Sequence, residues 1–194
     1  HRMVAATTQV IKVSGSGVDL RLFAASRPPP GPPIFLLIAR LLREKGIAEF
    51  VAAARILKTK HRTARFQILG PFDPSPLSIS KAEMDQWISE GAVEYLGETR
   101  DVGPYLTAST VFVLPSYYRE GIPRSALEAL STGRPIITTN GPGCQETVID
   151  GENGFRVEPR DVDALASAQR AFLEDEHLAA KMGANSRKLA EERF

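Results

Sequence analysis

The chain has a single cysteine, Cys144. That excludes an internal disulfide framework and any cysteine-rich zinc site, and it suits a reducing compartment. Histidine is scarce too: His1, His61 and His177 lie far apart with no ligand spacing, and we read them as surface residues. No apolar run approaches the length of a membrane span. Neither sign of charge dominates. The formal net charge is +1, which gives no support to wholesale binding of nucleic acid through phosphate neutralisation. The glycine fingerprints of dinucleotide sites are missing as well. "GSGVD" (15–19) and "GPGCQE" (141–146) are turns, but neither forms G-x-G-x-x-G between a strand and a helix, and there is no P-loop lysine motif.

What is present is an ordinary globular composition, 43% hydrophobic and 24% charged, in 194 residues. That length suffices for one well-cored domain and is short for two. The opening "HRMVAATTQVIKV" holds a strand-like "QVIKV" with no element before it, so we expect a longer parent protein. A Gly/Ser- and then Pro-rich stretch ends at Pro33 and reads as extended connector, because such a run cannot sit inside a helix or a central strand. Residues 1–33 are thus expected to be an interdomain strand and connector, and residues 34–194 the domain proper.

From Ile34 onward the chain alternates. Short continuous apolar runs at 34–39, 64–70, 92–97, 111–115, 134–139 and 153–157 are strand candidates. Helix-period segments fall at 45–60, 80–90, 101–108, 123–132, 161–174 and 176–192. Within the second of these helices Met84, Trp87 and Ile88 read as a packing face. This alternation describes an α/β domain with a doubly wound, mostly parallel sheet covered on both faces, a Rossmann-like fold. Ligands bind such sheets outside the carboxyl ends of the strands, so the loops after each strand carry the chemistry.

Two of those loops hold charged residues in a suggestive arrangement. Arg40 stands at the end of the first strand and Lys45 at the start of its helix, a plausible clamp for a phosphate or diphosphate. Each taken alone is an ordinary surface cation. In "REGIPRSALEALSTGRP" (119–135), Glu120 lies in a loop beside Gly121 and Glu128 lies within the following helix. A rise of about 1.5 Å per residue puts Glu128 roughly 7 to 8 Å further along, so the two carboxylates could meet two hydroxyl-bearing parts of an elongated ligand. Pro123 suits the first helical turn, and the free N–H groups that follow it favour anions or sugar hydroxyls. From spacing alone, a solvated loop charge and a surface helix residue fit these glutamates equally well. "DVD" (161–163) opens a helix after Pro159 and reads as capping, not as a metal-binding Asp-x-Asp. Cys144 reads as a small packing residue.

Taken together, "GSGVD", "ARLLREKG", "FQILGP", "VEYLGETRDV", "VFVLPSYYREGIPRSALEALSTGRPIITTNGPGCQETVIDGENGFRV" and "KMGANSRKLAEERF" resemble the C-terminal, donor-binding half of family 4 glycosyltransferases, which have the GT-B fold. Glu120 and Glu128 make the Glu-x7-Glu pattern of that family. The resemblance implies that Arg40 and Lys45 bind the diphosphate of a nucleotide sugar. It assigns Glu120 to hydroxyls of the donor sugar, helped by the backbone of Gly121, Ile122 and Pro123, and Glu128 to the ribose. The loop after "VEYLG" would face the base, with Tyr95 and Leu96 as the candidate contacts, and Gly70 would keep the second loop close to the ligand. The family transfers sugars with retention and generally needs no metal, so no cofactor is expected.

The wording of the motifs is similar to the bacterial branch that extends lipid-linked oligosaccharides, mostly from UDP-sugars. That implies a hexosyl- or N-acetylhexosaminyltransferase in polysaccharide, lipopolysaccharide or lipid-linked glycan assembly, cytoplasmic or peripheral at the inner face of the membrane. Ile122 and Pro123 depart from the Phe-Gly common in relatives, "SYYREG" is one residue longer than the usual "SYREG", and Asn140 replaces a frequent Asp. The acceptor-binding half, with its catalytic histidine, would belong to the parent protein, as would any glycan or lipid-linked acceptor and any membrane contact. The chain alone is then expected to bind the donor and to catalyse no transfer. A non-catalytic nucleotide- or sugar-phosphate-binding module on the same scaffold is the alternative.

Overall fold

The computed structural model describes residues 16–194. The strand-like "QVIKV" therefore lies outside the described residues. Among the described residues six strands form one sheet: β1 (Ile34–Ile38), β2 (Arg65–Leu69), β3 (Glu94–Tyr95), β4 (Val111–Leu114), β5 (Ile136–Thr139) and β6 (Gly154–Val157). Their spatial order is β3-β2-β1-β4-β5-β6, and every pairing is parallel. The continuous apolar runs have a direct cause: both faces of the sheet are covered. Phe35 and Leu37 of β1 join one core while Leu36 and Ile38 join the other, and Val111 and Val113 part from Phe112 and Leu114 in the same way.

Six helices supply the two covers: α1 (Ile47–Lys58), α2 (Lys81–Ser89), α3 (Gly103–Ala108), α4 (Arg124–Thr132), α5 (Val162–Glu174) and α6 (Leu178–Arg193). α1 packs on α5 over one face, and α3 and α4 cover the other with the end of α6. The fold class expected from the sequence is the fold observed, with local corrections. β3 shrinks to two residues because it is an edge strand that pairs only with β2. The third helix starts at Gly103, two residues later than expected. Pro123 is the N-cap of α4, with φ −64 and ψ 128, and not its first helical residue. Met84 and Trp87 are buried as expected, but Ile88 is exposed, since α2 lies over the edge of the sheet and one flank has no layer to pack against. Asp161 caps α5 by accepting a hydrogen bond from the Ala164 N–H at 2.8 Å, the capping role expected of "DVD".

The connector does not hang free of the domain. Val18, Leu20 and Phe23 pack against the second core. Two arginines hold the carbonyls of this segment. Arg187 Nη1 donates to Leu20 O and Phe23 O, both at 3.2 Å, and to Ser131 O at 2.8 Å. Arg134, fully buried, donates to Leu106 O at 2.9 Å and Ser26 O at 3.1 Å. Burial without a carboxylate partner pulls the Arg134 guanidinium down to about 10.

Strand order reverses between β1 and β4, which have β2 and β5 on their far sides. A parallel sheet that reverses in this way opens a crevice at the carboxyl ends of the two strands. The loops that begin at Arg40 and at Pro115 leave the sheet at that point.

Candidate functional site

A cleft of about 880 Å³ opens at this crevice. Arg40, Lys45, Gly70, Glu120, Pro123 and Glu128 all line it, so the structure gathers these sequence-chosen residues from three separate loops and the helix α4. Tyr95, Leu96, Gly121 and Ile122 are not among its lining residues. Tyr95 turns its hydroxyl to the Gly70 carbonyl at 2.9 Å and sets its ring edge-on to Phe72, while Leu96 and Ile122 pack against the second core. The opposite wall comes from Thr99, Arg100, Asp101 and Val102, in the loop after β3, with Leu22 and Phe23 of the connector beside them.

Each charged group has a definite local environment. Lys45 does not open the helix; it ends a 3-10 turn (Arg43–Lys45) ahead of Gly46 and α1. That turn is anchored outside the cleft by two bonds from Arg43 to Glu83, at 2.7 and 2.9 Å. Lys45 is buried; its ammonium contacts Glu120 Oε1 and lies 4.8 Å from the centre of the Tyr118 ring. Arg40 is largely exposed and pairs with Asp73 at 2.9 Å, a partner the sequence did not single out. At Gly70 a Cβ would stand 1.9 Å from the Ala39 carbonyl oxygen, with φ at +150. The glycine thus lets the loop after β2 lie against the end of β1, which brings both loops to one cleft.

Glu128 is the most unusual group. Only 13% of its side chain is exposed, and its one charged neighbour among the described residues is the well-exposed Arg124, at 3.7 Å. Burial pushes its carboxyl above the ordinary range, and Arg124 opposes the shift in part. A half-desolvated carboxylate facing a cleft is poised to accept hydrogen bonds from a ligand. Pro123 offers no side-chain cap to the first N–H groups of α4, and Arg124 and Ser125 line the cleft. Ser125 Oγ donates to the Ile38 carbonyl at 3.1 Å, docking the helix start on the end of β1. Such a site offers two cations, an uncapped helix N-terminus and two carboxylates. It can neutralise an elongated anion at one end and take hydroxyl donors at the other.

Among the described residues no three His, Cys, Asp or Glu side chains come together as a metal site. His177 is exposed and His61 partly so, and Cys144 is buried, as the sequence suggests. The sequence reading missed Asp73, Tyr118, Leu22 and Phe23. Thr99 to Val102 lie in or beside the loop after "VEYLG", the loop expected from the sequence to face the base, and they line the cleft.

The Rossmann-like sheet in this order has the fold of the C-terminal domain of a GT-B protein. The chain matches the family described as "Glycosyl transferases group 1" over residues 19–189 and belongs to it. Over 154 residues it is 36% identical to the N,N'-diacetylbacillosaminyl-diphospho-undecaprenol alpha-1,3-N-acetylgalactosaminyltransferase of Campylobacter jejuni, covering 79% of this chain and 39% of that protein. Among solved structures it is similar to the C-terminal domain of a group 1 glycosyl transferase, LpcC, from Francisella tularensis. That likeness has a TM-score of 0.76 and 24% identity over 90% of this chain and 97% of the other. It is likewise similar to HepE of Anabaena in complex with UDP, with a TM-score of 0.78 and 23% identity over 94% of this chain and 53% of that one. The chain spans about two fifths of the length of the curated relatives it matches.

Proposed function

We propose that the cleft binds the donor, a nucleotide sugar and specifically a UDP-sugar, for a retaining glycosyltransferase. The observation that carries this reading is the gathering of Arg40, Lys45, Glu120 and Glu128 on one cleft at the switch point, in a chain of this family. Arg40 and Lys45 neutralise the diphosphate, which becomes the leaving group when the sugar departs, and the start of α4 adds its N–H groups. Glu128 accepts hydrogen bonds from the ribose hydroxyls, which relieve its desolvation. Glu120 accepts from hydroxyls of the donor sugar while Lys45 balances its charge. The Gly121–Pro123 backbone adjoins the sugar; Pro123 lines the cleft, Ile122 packs behind it, and the departure of these two from the common family pattern makes them the place where the sugar's identity is read. The base lies toward the loop after β3, with Tyr95 and Leu96 behind that wall.

The parent enzyme supplies the acceptor side in a second domain, joined through residues 1–33, and residues 34–194 form the donor domain. The reaction class is hexosyl or N-acetylhexosaminyl transfer to a glycan or lipid-linked acceptor in polysaccharide or glycan assembly. We place that enzyme in the cytoplasm, at the inner face of the membrane when its acceptor is lipid-linked. Among the described residues no helix is long and apolar enough to cross a membrane. The isolated chain then binds donor and transfers nothing. Calorimetric titration with UDP, GDP, ADP and a panel of UDP-sugars tests the reading. Saturable binding of UDP and at least one UDP-sugar, in preference to GDP and ADP, supports it; binding of none of them overturns it.

A further inference from the structure

Glu120 belongs to a loop, yet the backbone around it is held from two sides. On one side is the Glu44 carbonyl, one residue before Lys45. It accepts from the N–H groups of Tyr117 at 2.9 Å and Tyr118 at 3.1 Å, and from Ser116 Oγ at 3.3 Å. On the other side is the end of β5. Thr139 Oγ1 donates to the Ser116 carbonyl and accepts from the Gly141 N–H at 3.3 Å. The turn that follows, Gly141 to Gly143, then runs directly against the Glu120 backbone.

Gly143 is buried and has φ +82. A Cβ there would stand 2.3 Å from the carbonyl oxygen of Gly121 and 2.6 Å from that of Glu120. Both obstacles are backbone atoms, so neither can rotate aside as a side chain would. Any side chain at Gly143 must displace the Glu120–Gly121 and Gly121–Ile122 peptides. Cys144, the next residue, reports the same proximity. Burial pushes its thiol up, and among the charges that reach it are those of Glu120 and Lys45. The sequence alone shows only a glycine-containing turn with no fingerprint, and the function given above makes no use of it.

We propose that Gly143 is a positioning residue for Glu120: its missing side chain lets the 141–143 turn seat the Glu120 backbone, and so fixes the carboxylate beside Lys45 and the donor sugar. The second half of this statement rests on the donor reading; the first does not.

The test compares Gly143→Ala with Gly151→Ala in the 194-residue chain. Gly151 has φ +76 and nothing within 4 Å of its would-be Cβ, so it carries the same backbone penalty without the collision. Two readouts are taken: the carboxylate carbon signal of Glu120 by NMR in the absence of nucleotide, and affinity for UDP and for UDP-sugars. Gly143→Ala moves the Glu120 signal and keeps UDP affinity within about threefold. It also lowers the ratio of UDP-sugar to UDP affinity by about tenfold, the worth of a charged hydrogen bond. Gly151→Ala changes neither. Combined with Glu120→Gln, Gly143→Ala produces no further loss in that ratio. If Gly143→Ala does not fold, Thr139→Val loosens the same loop from the Ser116 end and shifts both readouts in the same direction. An unmoved Glu120 signal, or an equal loss of UDP and UDP-sugar affinity, overturns the proposal. If the unaltered chain binds no nucleotide while the Glu120 signal still moves in Gly143→Ala, the donor reading fails and the positioning stands.

Discussion

Lys45 and Glu120, 75 positions apart in the chain, meet through Nζ and Oε1 at the edge of the cleft. Each is the nearest opposite charge of the other, and the contact couples the proposed diphosphate and sugar ends of the site. Lys45 is buried and has little room to leave. Replacing it with methionine keeps the bulk and removes the charge. The expected outcome is a loss of UDP affinity of about ten- to a hundredfold, the cost of one to two charged hydrogen bonds. Glu120→Gln is expected to spare UDP and to weaken UDP-sugars. Fluorescence or calorimetric titration of both variants checks the pair, and an unchanged UDP affinity in Lys45→Met would place the diphosphate elsewhere.

Glu128 predicts a dependence of stability on pH. Burial raises its carboxyl pKa in the folded chain above the ordinary value of 4.5. A raised carboxyl contributes stability below its unfolded pKa and loses it as pH rises through the folded one. Ionised Glu128 is therefore a burden at neutral pH, as expected of a group kept for binding. Glu128→Gln should melt higher than the unaltered chain at pH 7, and the gap should shrink as the pH falls toward 4.5 and be absent below it. Thermal melts across this range decide it.

Glu83 predicts the opposite slope. The Ser80 N–H, then Arg43, hold its carboxyl well below the usual range, at about 2. With Ser80 it forms a reciprocal cap at the start of α2, and with Arg43 it anchors the turn that carries Lys45. This stability is present above the unfolded pKa and is lost as pH falls toward about 2. Removal of the Ser80 cap by Ser80→Ala should cost about 1 kcal/mol at pH 7. The difference should narrow in acid, where Glu83 loses its charge in either chain.

Much of this architecture is legible in the residue order, and the reasons are specific. "IFLLI", "FQIL" and "VFVL" read as strands because a parallel sheet buried on both faces has no use for polar alternation. Glu120 and Glu128 could be found because they follow a recognisable strand and sit in a recognisable helix. The contacts among site residues could not. Lys45 meets Glu120, and Arg40 meets Asp73, only because loops from different strands converge, and no local pattern encodes that convergence. Leu22 and Phe23 were hidden for a related reason. A Gly-, Ser- and Pro-rich composition announces a connector but says nothing about where it docks, and here Arg187 and Arg134 decide that.

Gln169 offers a test of packing away from the site. It is fully buried on α5, and neither atom of its amide has a hydrogen-bond partner among the described residues. An unpaired buried amide costs about 1–3 kcal/mol. Gln169→Leu, of similar volume, should therefore raise the unfolding free energy by about 1 kcal/mol or more. Urea unfolding of the two chains measures it; a destabilised variant would mean that the amide is satisfied by an interior water.

The central claim is that the cleft holds a nucleotide with its ribose on Glu128. It is tested most directly by titrating UDP and 2′,3′-dideoxy-UDP into the unaltered chain and into Glu128→Ala. The account predicts that removal of the hydroxyls weakens binding by about tenfold or more in the unaltered chain, the worth of hydrogen bonds to a carboxylate, and has no effect in the variant. An equal penalty in both chains, or none in either, would contradict it.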